Sequence, residues 1–213
     1  MKKENLYITT TLPYVNAEPH IGHALEFIQA DAISRYFRKK LGEENVFLNL
    51  GTDEHGQKIL DQSKKEGITV QEFVDKYAQR FKDFCELFFV KYDHFYRTSD
   101  PKHHEAAKEF WRRCNENGDI YKKKYSGLYC VGCERFLTEK DLVEGKCPDH
   151  DKEPEIKEEE NYFFKLKEYK EILLKWLEEN PEVLKPKRKL DELKTIISET
   201  EDISISRLKE NLP

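Results

Sequence analysis

Apolar and polar positions change rhythm several times along the chain, and each change predicts an element. Residues 5–12 form an apolar, β-favouring run, the pattern of a buried strand. From Ile21 to about Lys40 the apolar positions are Leu25, Ile28, Ala32, Ile33, Tyr36 and Phe37, a helical spacing. Arg35, Arg38, Lys39 and Lys40 crowd its end and Gly42 follows, which are helix stop signals. Residues 46–50 are a second short apolar run. Strand, helix, strand predicts a βαβ unit and a parallel sheet. Helical patterns then cover about 57–66 and 70–89, the second with Phe73, Val74, Tyr77, Phe81, Phe84 and Leu87 on one face. Residues 92–97 read as a third strand. Asp100-Pro101 opens another helix to about Asn117, ended by Gly118.

After Gly118 the pattern shifts. Tyr121, Tyr125, Leu128 and Tyr129 lie in short β-like runs among cysteines. Residues 151–160 read as an acidic, proline-bearing linker, 161–166 as a strand, and 168–179 as a helix stopped by Asn180-Pro181. A last helix covers about 187–199, and residues 204–207 are a short strand or turn. The prediction is an α/β fold in two parts, 1–117 and 118–213.

Composition changes this picture little. The chain has 213 residues, of which 38% are hydrophobic and 37% charged, against about 25% charged in an average domain. Thirteen Phe and eleven Tyr supply a core. A net charge of −5 gives no general argument for nucleic-acid binding. The dense basic runs, 122–124 and 185–189, read as solvated faces. No run of 18 apolar residues predicts a membrane span, and the N-terminus has no signal-peptide pattern. The expected setting is the cytoplasm, where five cysteines are metal ligands or core thiols rather than disulfides.

Candidate chemistry begins where the first strand ends. His20 and His23 stand three apart, so a helix puts them on one face. The N–H groups and positive dipole end of that helix favour an anion, and Gly22 leaves the backbone open to a ligand. Two imidazoles there could seat a polyphosphate, although two histidines alone more often mark an ordinary surface turn. Residues 51–58 form a second Gly-flanked polar turn after a strand, and ligands gather at that edge of open α/β sheets. Asp53 reads either as a cap for the next helix or as the partner of a bound cation. Cys130, Cys133, Cys147 and His150 form two pairs of zinc-ligand spacing; three thiolates and an imidazole complete a closed, structural tetrahedron. Cys85 and Cys114 sit on helical patterns and read as core thiols.

Together these motifs resemble a known family. Pro13-Tyr14-Val15-Asn16 running into His20-Ile21-Gly22-His23 resembles the signature of class I aminoacyl-tRNA synthetases, in its methionyl form. Gly51-Thr52-Asp53-Glu54-His55-Gly56 looks methionyl as well. The cysteine–histidine set stands where that family inserts a zinc knuckle, and Asp202 to Arg207 resembles its return to the nucleotide fold. The resemblance implies the first half of a Rossmann-like nucleotide-binding parallel sheet with an inserted zinc-knuckle connective domain. It implies ATP-dependent activation of methionine, with Mg2+, and transfer to methionine tRNA. His20, Gly22 and His23 would meet ATP, with the histidines catalytic. Leu12, Tyr14 and Asp53 would hold methionine, and the ion would be structural Zn2+.

The chain departs from the family pattern in lacking a Lys-Met-Ser-Lys-Ser-like loop, a Trp-rich segment and an anticodon-binding domain. The expectation is an N-terminal piece, inactive or weakly active alone, whose missing half would come from the same or a separate chain. Its interrupted sheet would leave an apolar face open. The alternatives are a non-catalytic zinc-bearing tRNA- or protein-binding module, or another class I amino-acid-activating enzyme.

Overall fold

Two sheets of opposite character organise the protein, for which a computed structural model describes residues 4–133 and 135–206. The first holds β1 (Leu6–Thr9), β2 (Val46–Thr52) and β3 (His94–Arg97) in that spatial order, all parallel. Their connections carry α1 (Ile21–Leu41), and then α2 (Gln57–Glu66) and α3 (Val70–Leu87). Parallel strands need such crossovers, and the β-favouring runs separated by helical spacing supply them. The core gathers Val15, Phe27, Leu48, Leu50, Ile59, Phe73 and Phe81.

Register makes one glycine obligatory. Gly51 lies opposite Tyr96, and a Cβ at Gly51 would stand 1.9 Å from the Tyr96 carbonyl oxygen. The same Cβ would stand 2.9 Å from Leu12 Cδ2. Any side chain at 51 therefore pushes the strands apart beside the candidate site.

The strands expected at 5–12 and 92–97 are shorter than predicted, 6–9 and 94–97. Helix α1 corrects the sequence reading further. The predicted apolar face points outward: Leu25 is 61% exposed, and Ile28, Ile33 and Tyr36 are exposed as well. The buried face is Ala24, Phe27, Ala30, Asp31, Ser34 and Arg38. Small residues let this face lie close, and its charges are paired. Arg38 reaches Ser34, Glu43 and Asp93, while Asp31 takes Arg35 and the Lys91 N–H. Buried charges need such partners. On α3 the prediction holds for Phe73, Val74, Tyr77 and Phe81, but Leu87 is 69% exposed and Cys85 takes a place in the core.

Helix α4 (Pro101–Glu116) precedes the second sheet, β5 (Arg135–Leu137), β4 (Ile120–Cys130), β6 (Glu155–Phe164) and β7 (Ile203–Ser204), antiparallel throughout. Contacts divide the chain into two units, largely Met1–Lys108 and Glu109–Leu208. The expected short runs after Gly118 are one eleven-residue strand. The expected acidic linker instead supplies the first half of β6, which pairs residue by residue with β4. Lys124 pairs with Glu160, and Lys122 Nζ lies 3.5 Å from Glu160 Oε2. Helices α5 (Lys170–Glu179) and α6 (Lys187–Glu199) follow. Asp202 then anchors the returning chain, accepting from Tyr121 Oη at 2.8 Å and from the Lys167 N–H at 3.2 Å. Arg207, the last residue of that run, lies outside the described residues.

Candidate functional site

The two polar turns at the carboxyl ends of β1 and β2 are joined edge to edge. Asp53 N–H donates to the Pro13 carbonyl at 2.9 Å, and Val15 N–H donates to the Asp53 carbonyl at 3.1 Å. Tyr14 and Asp53 therefore form a parallel bridge beyond the sheet proper. Pro13 and Val15 are buried and pin the first turn, leaving Tyr14 half-buried between them. The two oxygens of Glu26 take the Thr11 N–H and hydroxyl, both at 2.7 Å, and so fix the approach to Leu12. Tyr14, Asp53, His55 and Lys58 line one open cleft.

The histidines use the start of α1 in a way the spacing did not reveal. His20 is the helix cap, and its Nδ1 accepts from the Gly22 N–H at 3.1 Å. His23 Nδ1 accepts from the His20 N–H at 3.2 Å. The rings stack with centroids 3.8 Å apart, and Phe81 meets His23 edge-on at 5.1 Å. An Nδ1 that accepts leaves the proton of a neutral imidazole on Nε2, so both rings present Nε2–H donors away from the helix. Burial, then the neighbouring His20, lowers the His23 pKa from its ordinary 6.5, with Glu26 opposing.

The expectation of free first-turn N–H groups is thus corrected, since the Gly22 N–H is taken by His20. The Nε2–H groups of the two imidazoles are donors that this turn presents in its place. Gly22 also has a nearer role than leaving room for a ligand: a Cβ there would lie 3.0 Å from the His20 ring and press on the cap.

Asp53 is not a helix cap. Helix α2 starts at Gln57 with Gly56 at its N-cap position and no side-chain cap bond. Its neighbour Glu54, which sequence reasoning passed over, is buried and anchored. Glu54 Oε1 accepts from Thr52 Oγ1 at 2.6 Å and from Arg97 Nε at 2.7 Å, and Oε2 accepts a short bond from Ser99 Oγ. Burial works against the Arg97 charge, but the bonds to Glu54 and Asp75 outweigh it and the Arg97 pKa is raised. No spacing rule marks such a residue; a carboxylate beside a candidate ligand-binding Asp was the available signal.

The sulfur and nitrogen ligands converge as their spacing predicts. One ligand atom each from Cys130, Cys133, Cys147 and His150 lies within 4.8 Å of the others. His150 Nδ1 stands 3.7 Å from Cys147 Sγ and 3.9 Å from Cys130 Sγ. Ligands of a tetrahedral zinc lie about 3.6 Å apart by this measure, so the set fits a metal ion after slight contraction. A tight turn holds the second pair: Asp151 N–H bonds the Cys147 carbonyl at 2.8 Å, and Cys147 N–H bonds that of Lys152 at 2.9 Å. Burial pushes the Cys85 thiol up to about 12, in keeping with a core thiol. Cys114 is only half-buried, less enclosed than expected.

The chain is similar to known proteins along nearly its whole length. The family of class I tRNA synthetases (M) matches residues 6–153 and 150–210. A methionine–tRNA ligase of Thermotoga maritima is 43% identical over 94% of the chain, and one of Caldanaerobacter subterraneus is 41% identical over 96%. In both cases the match covers 32% of the relative, so the chain spans about a third of their length. Mycobacterium tuberculosis methionyl-tRNA synthetase in complex with methionyl-adenylate superposes with a TM-score of 0.90 at 37% identity, over 97% of this chain and 41% of that one. The apo form of that protein gives 0.78 at 34% identity, over 96% and 39%.

Proposed function

This chain belongs to the class I tRNA synthetases (M), and on that premise we propose that it forms the methionine- and ATP-binding portion of a methionine–tRNA ligase. In this reading Asp53 receives the ammonium of methionine together with the backbone near Leu12, and Tyr14 shapes the side-chain pocket. A carboxylate is the natural partner of a desolvated ammonium. His20 and His23 offer their Nε2–H groups to the phosphate oxygens of ATP, which enters with Mg2+. Gly22, by sparing the His20 cap, keeps those donors in place.

The methionine carboxylate attacks the α-phosphate and pyrophosphate leaves. No base is required, because the nucleophile is already ionised, so catalysis consists of positioning and charge stabilisation. A hydroxyl at the 3′ end of methionine tRNA then attacks the methionyl carbonyl, the ester forms and AMP leaves. The setting is the cytoplasm. Cys130, Cys133, Cys147 and His150 hold a zinc ion whose four positions are filled by protein, which makes it structural.

The observation that carries this reading is the Tyr14–Asp53 bridge, which joins the two signature turns at one edge of the sheet. The test is methionine-dependent exchange of pyrophosphate into ATP. The chain alone is expected to give little exchange. Adding a polypeptide that spans the remaining length of a relative should restore it for methionine and not for isoleucine, leucine or valine. Restoration by another amino acid overturns the assignment of methionine. Exchange by the chain alone at the rate of a full-length relative overturns the partial-site reading.

A further inference from the structure

We propose that Glu54 and Thr98 are positioning residues that hold Asp53 in line with the cleft, a role that rests on the reading of Asp53 as the ammonium receptor. The Glu54 side chain has no solvent exposure, and a buried carboxylate is expensive unless every oxygen is satisfied. Its oxygens are satisfied, and each partner tethers a different stretch of chain. Thr52 belongs to the end of β2, Arg97 to the end of β3, and Ser99 to the turn beyond. Arg97 extends the tether to Asp75 on α3 at 2.6 Å.

The backbone repeats the pattern on either side of Asp53. Thr98 N–H donates to the Thr52 carbonyl at 3.2 Å, and the Glu54 N–H donates to Thr98 Oγ1 at 2.8 Å. The Thr98 carbonyl faces His55 Nε2 at 3.1 Å. Asp53 itself is bonded through both backbone groups to the first turn. The 52–55 turn is therefore clamped between two neighbouring segments, with Asp53 the residue at which the clamps meet. Because Thr98 Oγ1 accepts from Glu54, its own proton is directed elsewhere, and Asp53 Oδ1 lies 3.5 Å away along that path.

A buried ion pair is weak evidence for stability, so fold maintenance alone is a poor account of Glu54. What the network does is fix the backbone on either side of a carboxylate that must meet a cation without searching, and bring the Thr98 hydroxyl to its side chain.

The test is carbon-13 NMR titration of the Asp53 carboxyl in this chain, with Asp53→Asn identifying the resonance. Glu54→Ala separates two outcomes by sign. Loss of a neighbouring negative charge alone lowers the Asp53 midpoint, whereas loss of the aligned Thr98 donor raises it. The expected result is a rise of about half a pH unit or more. Thr98→Val, which keeps the Glu54 charge, should give the same rise even if Glu54→Ala folds poorly. Thr98→Ser should restore the original midpoint. An unchanged or lowered midpoint in Thr98→Val overturns the proposal. Methionine titrations of the unsubstituted and Asp53→Asn chains address the underlying reading separately. Equal methionine response in both overturns Asp53 as the receptor while leaving the positioning result standing.

Discussion

The parallel sheet and the antiparallel sheet come from one composition and are stabilised in different ways. Around β1, β2 and β3 large apolar side chains are fully enclosed: Phe27, Leu48, Leu50, Ile59, Phe73 and Phe81 have no exposed surface. At about 1.5–3 kcal/mol for each fully buried large side chain, such a core needs no further fastening. Around β4 and β6 the enclosed apolar residues are few, Tyr129, Leu137, Phe163, Leu177 and Leu190, and two more enclosed positions are the cysteines 130 and 147. The long β4–β6 pairing is rich in Lys and Glu and buries little. Where apolar burial is thin, three cysteines and a histidine converge in a cluster that could hold a metal ion, and such an ion would take the place of a core.

That contrast can be broken most forcefully at the cluster. Metal removal by a chelator, or Cys147→Ser, should cost on the order of 10 kcal/mol of local stability. Hydrogen exchange should then show lost protection around Leu128 and Ile156, with Leu48 and Leu50 unaffected. Simultaneous loss in both sheets would show that the metal supports the whole chain. The reciprocal experiment is Phe81→Ala, expected to cost about 3–5 kcal/mol in urea unfolding of the first unit while bound metal per chain stays the same. A fall in metal content would contradict independent stabilisation.

The charged ladder comes next in size. Glu160→Lys sets like charges beside Lys122 and opposite Lys124, and should cost at most about 1 kcal/mol. Adding Lys122→Glu should recover part of it, as a double-mutant cycle would read. The smallest expected effect is that of pH on the first unit. The His23 pKa is lowered by burial and by His20, so the unfolded chain binds its proton more readily. Stability from this group is full above about pH 6.5 and is lost as the pH falls through the lower folded value. Unfolding midpoints at pH 7.5 and 5.5 should differ less in His23→Asn than in the unsubstituted chain.

How much of this was legible depended on whether one physical signal spoke alone. The parallel order of strands followed from apolar runs spaced by helices, and the buried face of α3 from aromatic residues at helical intervals. The convergence of three cysteines and a histidine was legible because two pairs at that spacing form tight turns that bring their side chains together. Helix α1 misled because it carries two stripes, one apolar and one of small and paired polar residues, and periodicity weighs only the first. The acidic half of β6 was illegible because its reason for being a strand, the backbone of β4, lies some thirty residues earlier. Glu54 was marked only by its place beside Asp53, because Arg97 and Ser99 become its partners only once β2 and β3 are side by side.

The paired caps at the start of α1 have a thermodynamic consequence. Each imidazole is immobilised by a bond that the helix itself requires, so its rotational entropy is surrendered during folding rather than on encounter with a ligand. An oxyanion bound there as proposed would meet donors already at rest, and turning either ring away would cost the first turn a capping bond of about 0.5–2 kcal/mol. Rigidity of the helix and readiness of the site are one quantity, and heat that frays the helix should disarm the site at the same temperature.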